Sequence, residues 1–426
     1  MFANLGIKNY GSRTIAMVRN NKEELNRNFS EILSIHIIFS IIVIFVYLVL
    51  LFFFVEDNLV IFLIQSIYVF AAVFDINWFF FGIEKFKLTV GRNTLVKILS
   101  VFLVLVFVKT QTDLWIYALI LALSVFVGQS VVWFALKQYV SWRRPSWANM
   151  KQHIRPLFVL FLPILALSLY KYMDKIMLGS ISSNVQVGFY ENAEKIINVP
   201  MSLIMAFGVV LMPRIANMVT SKDKGEVFKL IDMSMEAVML LAIAISFGLA
   251  GISFVLAPIF FGYEFEECGI LIMGLAVTVP FMAFANVIRT QYLIPYKEDK
   301  IFVVSLFLGA AVNLIVNIIL IPYMAARGAV IGTIFAEIIV CIYQSYFVRK
   351  KIFIKKYLLN TIPPILIGIV MFVFVFQIGN VMNINIVTLI LQLLVGMFIY
   401  AVGVFLLMLK SRTRLMVLLR KFVVRY

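Results

Sequence analysis

Two residue types are scarce in this 426-residue chain. It holds two cysteines, Cys268 and Cys341, and two histidines, His36 and His153. With no CxxC pair, neither a disulfide framework nor a thiolate metal site is expected. His36 lies in an apolar run and His153 in a basic segment. Neither belongs to a Ser-His-Asp arrangement or an HExxH pair. There is no Walker A sequence and no GxGxxG at a strand–helix junction, so no direct use of ATP by this chain is expected. Charge is scarce as well, at 14% of residues against about 25% in a soluble domain. The chain is 63% hydrophobic, contains 41 phenylalanines and has a mean hydropathy of +1.04. The expectation is an all-α polytopic integral membrane protein with no enzymatic site, no cofactor and no metal.

A helical span needs roughly 20 predominantly apolar residues. Twelve segments meet that measure: 31–55, 59–82, 92–109, 114–136, 157–181, 186–212, 230–256, 268–294, 301–322, 328–348, 358–379 and 386–409. The connections between them alternate in charge. Segments 7–29, 83–92, 137–156, 213–229, 297–300 and 349–356 are basic, as is the tail 411–426. The intervening connections are short and neutral or acidic, such as that with Glu264, Glu266 and Glu267, except for one with a lone Arg327. Lys and Arg accumulate in cytoplasmic loops. The net charge of +16 therefore needs no nucleic acid to explain it, and both termini are expected in the cytoplasm. The tail 411–426 has two readings, a basic amphipathic helix on the inner leaflet or a solvated stop-transfer tail. The opening residues lack the basic and apolar regions of a secretory leader.

Ionisable residues inside spans are costly and usually face a bundle interior or a water-filled cavity. Lys171, Asp174 and Lys175 share one face of span 157–181 by their i, i+3, i+4 spacing. Glu191, Glu194 and Lys195 fall at a similar depth on span 186–212, beyond the turn Gly179–Asn184. Two readings of this cluster stand. It lines a cavity for an anionic headgroup or a coupling ion, or it forms internal ion pairs with lysines snorkelling outward. Asp75, Glu337 and Arg289 are further cavity candidates. Asn313 and Asn317, at i, i+4, read first as helix–helix contacts.

Several stretches also carry a resemblance. Tyr172-Met173-Asp174-Lys175-Ile176-Met177-Leu178-Gly179, followed by Val187-Gly188-Phe189-Tyr190, Ala193-Glu194-Lys195, Pro200 and Met212-Pro213-Arg214, resembles bacterial polysaccharide flippases. These are the O-antigen or repeat-unit translocases of the multidrug/oligosaccharidyl-lipid/polysaccharide exporter superfamily. Phe2-Ala3-Asn4-Leu5-Gly6 through Arg13, and Trp78 through Phe86, resemble that family's first two inner segments. The resemblance implies a two-lobe helical bundle with two extra C-terminal helices. It divides the chain into 1–156, 157–348 and 349–426. The first lobe has four spans, without the two that usually precede Phe-Ala-Asn-Leu-Gly. It further implies flipping of an undecaprenyl-pyrophosphate-linked oligosaccharide across the bacterial cytoplasmic membrane, with membrane lipid and other polysaccharide-assembly proteins as neighbours. Arg13, Lys171, Lys175 and Arg289 are then expected to hold the diphosphate. Asp75, Asp174, Glu191, Glu194 and Glu337 are expected to serve ion coupling or charge balance. A drug or peptidoglycan-precursor exporter, a membrane glycan polymerase or ligase, and a non-transporting scaffold are the alternatives.

Overall fold

The computed structural model describes residues 2–54, 58–220 and 224–410. Among them every regular element is helical: fourteen α-helices, with short 3-10 turns and one π-turn. Backbone polar groups at bilayer depth must be satisfied within the chain, and an apolar run does this only as a helix or a closed barrel. Ten helices are long and apolar enough to cross a membrane. The long helix α12 (Asp299–Val348) is one of these ten, but it contains a non-helical residue, Ala325, at φ 46° and ψ −125°. Its legs, 299–324 and 326–348, match two expected spans. Helix α7 (Trp147–Ile181) has 35 residues and falls outside the ten. It contains the expected span 157–181, with the apolar run 157–170. Counting both legs and α7 gives the twelve spans read from the sequence. The tail 411–426 lies outside the described residues.

The chain divides into two compact units, Met1–Leu165 and Ala166–Tyr426, with the boundary inside α7. Unit 1 contains α1 (Ile7–Val18), α2 (Lys22–Phe54), α3 (Leu59–Val73), α4 (Asn77–Gly82), α5 (Phe86–Phe107) and α6 (Leu114–Leu136). Segment 7–29, read as a loop, is mostly helical. The chain enters α1 through Gly6 at φ 77°, where a Cβ would sit 3.0 Å from the Leu157 carbonyl oxygen. Only glycine takes that backbone without strain. The two N-terminal stretches that carry the resemblance pack on each other. The Ser12 hydroxyl donates to the Trp78 carbonyl at 2.9 Å, the Trp78 ring covers Gly11, and Arg19 pairs with Glu84 at 2.8 Å. Beneath them Phe29, Ile32, Phe79 and Phe80 form a closed apolar core.

Beside that core lies a buried polar triad. The His153 ring sits between the Tyr10 hydroxyl (2.6 Å) and the Glu31 carboxylate (3.0 Å), and Asn149 donates to the other oxygen of Glu31 at 3.0 Å. Burial pushes the Tyr10 phenol above its ordinary range. This network ties α1 and α2 to the start of α7, which begins at Trp147 rather than at 157.

Unit 2 holds the rest of α7, then α8 (Asn184–Thr220), α9 (Lys224–Phe261), α10 (Cys268–Ala276), α11 (Thr278–Ile288), a π-turn (Arg289–Leu293), α12, α13 (Ile354–Val381) and α14 (Ile386–Lys410). The break between α10 and α11 has a local cause. Pro280 has no N–H for the Ala276 carbonyl four residues earlier. The Ser246 hydroxyl of α9 donates to that carbonyl at 2.7 Å instead. The two legs of α12 fold back on each other. A Cβ on Gly328 would lie 2.7 Å from the Leu320 carbonyl oxygen, so the turn closes only on a residue without a side chain. The end of this hairpin is tethered. The Gln186 side-chain oxygen accepts from the Ala326 N–H at 3.2 Å, and Glu267 joins Gln186 (3.3 Å) to Arg327 (3.5 Å). The acidic connection and the lone arginine of the sequence are thus partners.

Candidate functional site: a polar cavity in unit 2

Four helices meet at one buried carboxylate. Asp174 on α7 is 5% exposed. Its Oδ1 accepts from the side-chain amides of Asn313 (2.7 Å) and Asn317 (2.6 Å) on the first leg of α12. Its Oδ2 accepts from the Tyr190 hydroxyl on α8 (2.9 Å) and lies 3.1 Å from the Thr333 hydroxyl on the second leg. Asn317 and Thr333 are sixteen residues apart and would be about 24 Å apart on a straight helix. The hairpin at Ala325 brings both to one carboxylate. Gly332 makes the approach possible, since a Cβ there would lie 2.1 Å from Asn317 Oδ1. All four donors are neutral, and among the described ion pairs Asp174 takes part in none. A hydrogen bond to a charged group contributes roughly 1.5–3 kcal/mol, so this set offsets much of the cost of burying the charge.

Asp174 forms part of the wall of a cavity of about 480 Å³. Lys171, Glu194, Arg289 and Glu337 line it too, with Asn286 and Gln344 among the neutral polar groups. Lys171 is exposed, with Nζ 5.7 Å from the Tyr172 ring centre. Arg289 opens the π-turn after α11 and stacks on Phe302 at 5.3 Å. Neither cation has an acidic partner within 4 Å among the described ion pairs. A cation over an aromatic face is held without being neutralised. Glu337 is buried, with Tyr170 beside it, although no hydrogen bond of ordinary geometry satisfies the Tyr170 hydroxyl. The amide oxygens of Asn286 and Gln344 are also buried without partners among the protein's own groups. Two unpaired cations face two carboxylates, Asp174 and Glu337, so the cavity is balanced rather than simply cationic.

The remaining sequence candidates lie elsewhere. Lys175 pairs with Glu194 at 2.8 Å, its side chain about one-fifth exposed. Glu191 pairs with Lys195 at 3.3 Å on the surface of α8. Arg13 is exposed on α1 in unit 1. Asp75 is also in unit 1, at the break between α3 and α4. There Oδ1 accepts from the Asn77 backbone N–H (3.1 Å) and side-chain amide (2.7 Å). Asn77 in turn donates to Gln129 (2.9 Å) and accepts from Arg92 (2.8 Å), whose guanidinium also reaches the Gly128 carbonyl. Sequence reasoning missed Tyr190, Thr333, Arg92 and Gln129 in these roles. Tyr190 stood in the quoted motif, but nothing in its spacing pointed at Asp174. Arg92 was counted among the loop cations.

Comparison with known proteins decides the family. The family described as "Polysaccharide biosynthesis protein" matches residues 1–219, half of the chain. The chain belongs to this family. Among its relatives is the "Putative O-antigen transporter" of Shigella dysenteriae, 25% identical over 357 residues, which cover 79% of this chain and 86% of the relative. The Lipid II flippase MurJ of Bacillus subtilis is 28% identical over 224 residues, covering 48% of this chain and 41% of that one. The fold of this family member is also found in a solved structure of Lipid II flippase MurJ in an inward closed conformation. The likeness has a TM-score of 0.76 at 14% identity and covers 94% of this chain and 88% of the other. It establishes a helical exporter-type fold, as the sequence resemblance implied.

Proposed function

We propose that this protein flips undecaprenyl-pyrophosphate-linked oligosaccharide repeat units across the bacterial cytoplasmic membrane for surface polysaccharide synthesis. The observation that carries this reading is the 480 Å³ cavity with Lys171 and Arg289 unpaired in its wall. A diphosphate brings negative charge and acceptor oxygens. Cations in a low-dielectric cleft bind such groups far more strongly than in water. The partnerless amide oxygens of Asn286 and Gln344 suit sugar hydroxyls. Lys171 and Arg289 hold the diphosphate in this scheme. Arg13 and Lys175 serve the same ligand from outside the cavity wall, Lys175 once released from Glu194.

Asp174 is the coupling residue of the proposal, with Glu337, Glu194 and Asp75 balancing charge in the transport path and Glu191 balancing only Lys195 on the surface of α8. Rotating the Asn313 and Asn317 amides turns two donors into oxygen ligands beside the carboxylate, so a proton or a small cation can replace the neutral donors. The same reading takes 1–156 and 157–348 as the two lobes and 349–426 as their extension, with both termini cytoplasmic.

The test is complementation. A deletion strain should regain surface polysaccharide with the wild-type gene and not with Lys171→Ala/Arg289→Ala at equal membrane abundance. Normal polysaccharide in the deletion strain, or full rescue by the double variant, overturns the reading. The likeness to MurJ favours one second reading, export of a peptidoglycan precursor. Lethality on deletion with unchanged polysaccharide would select it.

A further inference from the structure

A second cavity in unit 2 has a different character. It measures about 840 Å³, toward the upper end of the roughly 300–1,000 Å³ of small-ligand sites. It runs between α9, the α10–α11 break, the second leg of α12 and the start of α13, and it shares no wall residue with the polar cavity. Phe247, Ala250 and Phe284 line its depth. Val277, Ile342 and Leu358 line its mouth and are exposed, which turns the opening toward the membrane side of the unit.

Two of the four hydroxyls in its wall, those of Ser246 and Thr361, are already used, and Ser345 and Tyr346 carry the other two. Ser246 donates to the Ala276 carbonyl and Thr361 to the Tyr357 carbonyl, each at 2.7 Å. The wall is otherwise almost entirely apolar, which suits a hydrocarbon chain better than a sugar. At one end it meets Arg349 and Lys355. Arg349 lies 3.8 Å over the Tyr346 ring centre. Neither residue has an acidic partner among the described ion pairs, whereas the adjacent Lys356 is tied to Asp232 at 2.7 Å.

From this we infer that the groove is a binding site for an anionic membrane phospholipid. Its acyl chains lie along Phe247 and Phe284, and its phosphate sits between Arg349 and Lys355. Hydrocarbon along most of the wall and two unneutralised cations at one end match that ligand at both ends. Basic groups of this kind between spans near a membrane surface recognise phosphate headgroups. Because the groove opens outward and is separate from the polar cavity, the occupant belongs to the bilayer and is not the transported lipid. This inference does not rest on the proposed transport activity.

The experiment uses the purified full chain in detergent, titrated with phosphatidylglycerol or phosphatidylcholine and read by native mass spectrometry. Phosphatidylglycerol should bind and phosphatidylcholine should not. Arg349→Ala/Lys355→Ala should weaken binding about thirtyfold, from ~1 kcal/mol per cation at the surface. Lys350→Ala/Lys351→Ala, with the same loss of charge outside the groove wall, should bind as wild type. The wild-type protein gives an independent readout. Cys341 is part of the groove wall and partly exposed, while the second cysteine, Cys268, is buried. Phosphatidylglycerol should protect Cys341 from a maleimide, and phosphatidylcholine should not. Equal losses in the two double variants, equal binding of the two lipids, an unprotected Cys341, or displacement of phosphatidylglycerol by undecaprenyl phosphate would each overturn the assignment.

Discussion

Asp174 and Asp75 are both acidic residues within apolar helical stretches, and the protein handles them in opposite ways. Asp174 takes its partners from far along the chain: Tyr190 on α8 and Asn313, Asn317 and Thr333 on both legs of α12. Asp75 takes its closest partner from two residues away and acts as a local cap where α3 breaks. The cation near Asp75, Arg92, is reached only through Asn77. The first aspartate is a junction between helices and the second a joint within one. The difference suggests which site responds to a bound charge. Asp174 holds its charge with dipoles, and these can turn when an ion arrives. Asp75 is built into the backbone of a helix end.

Five variants test that contrast. Asp174→Ala removes the acceptor shared by Asn313, Asn317, Tyr190 and Thr333. It should cost on the order of 3 kcal/mol of stability in detergent and abolish complementation, whereas Asp174→Asn should keep the fold and lose transport. If the asparagine variant transports normally, Asp174 is structural and the comparison fails. Arg92→Met removes the cation that joins Asn77, Gln129 and the Gly128 carbonyl. About 2 kcal/mol of destabilisation is expected, visible as a lower thermal midpoint. Asp75→Asn keeps the Oδ1 acceptor for Asn77. The change should stay below about 1 kcal/mol, with polysaccharide export at half of wild type or better, and a total loss would place Asp75 beside Asp174 as a coupling group. Glu191→Gln/Lys195→Gln removes an exposed i, i+4 pair worth roughly 0.3–0.5 kcal/mol. Neither the midpoint nor complementation should move.

The spans were legible because hydropathy acts over twenty residues and ignores detail. The helix-to-helix turn at Ser182–Ser183 and the alternation of basic with weakly charged connections followed from punctuation and charge. Asp174 was legible as an oddity, since a charge among leucines stands out. Its partners were not. Threonine and tyrosine are ordinary in spans, and only the fold-back at Ala325 tells which of them come within 3 Å. Asn313 and Asn317 show the limit well. Their spacing marked them as contacts between helices, which they are, while the carboxylate they serve is 139 and 143 residues away in sequence. Arg92 was hidden for another reason. A long side chain near a span end can snorkel to water or turn inward to amides, and sequence alone does not distinguish the two.

The Ser246 hydroxyl on the Ala276 carbonyl has a consequence for how the chain is made. A proline bend inside a bilayer exposes a carbonyl that no water can reach, so it needs a donor from another helix. That donor is 34 residues upstream of Pro280, on the helix synthesised immediately before. Domains assemble as the chain emerges from its N-terminal end. The bent segment therefore enters a membrane in which its partner already waits. The order of the two residues along the chain is itself a device for inserting an irregular helix without an exposed polar atom.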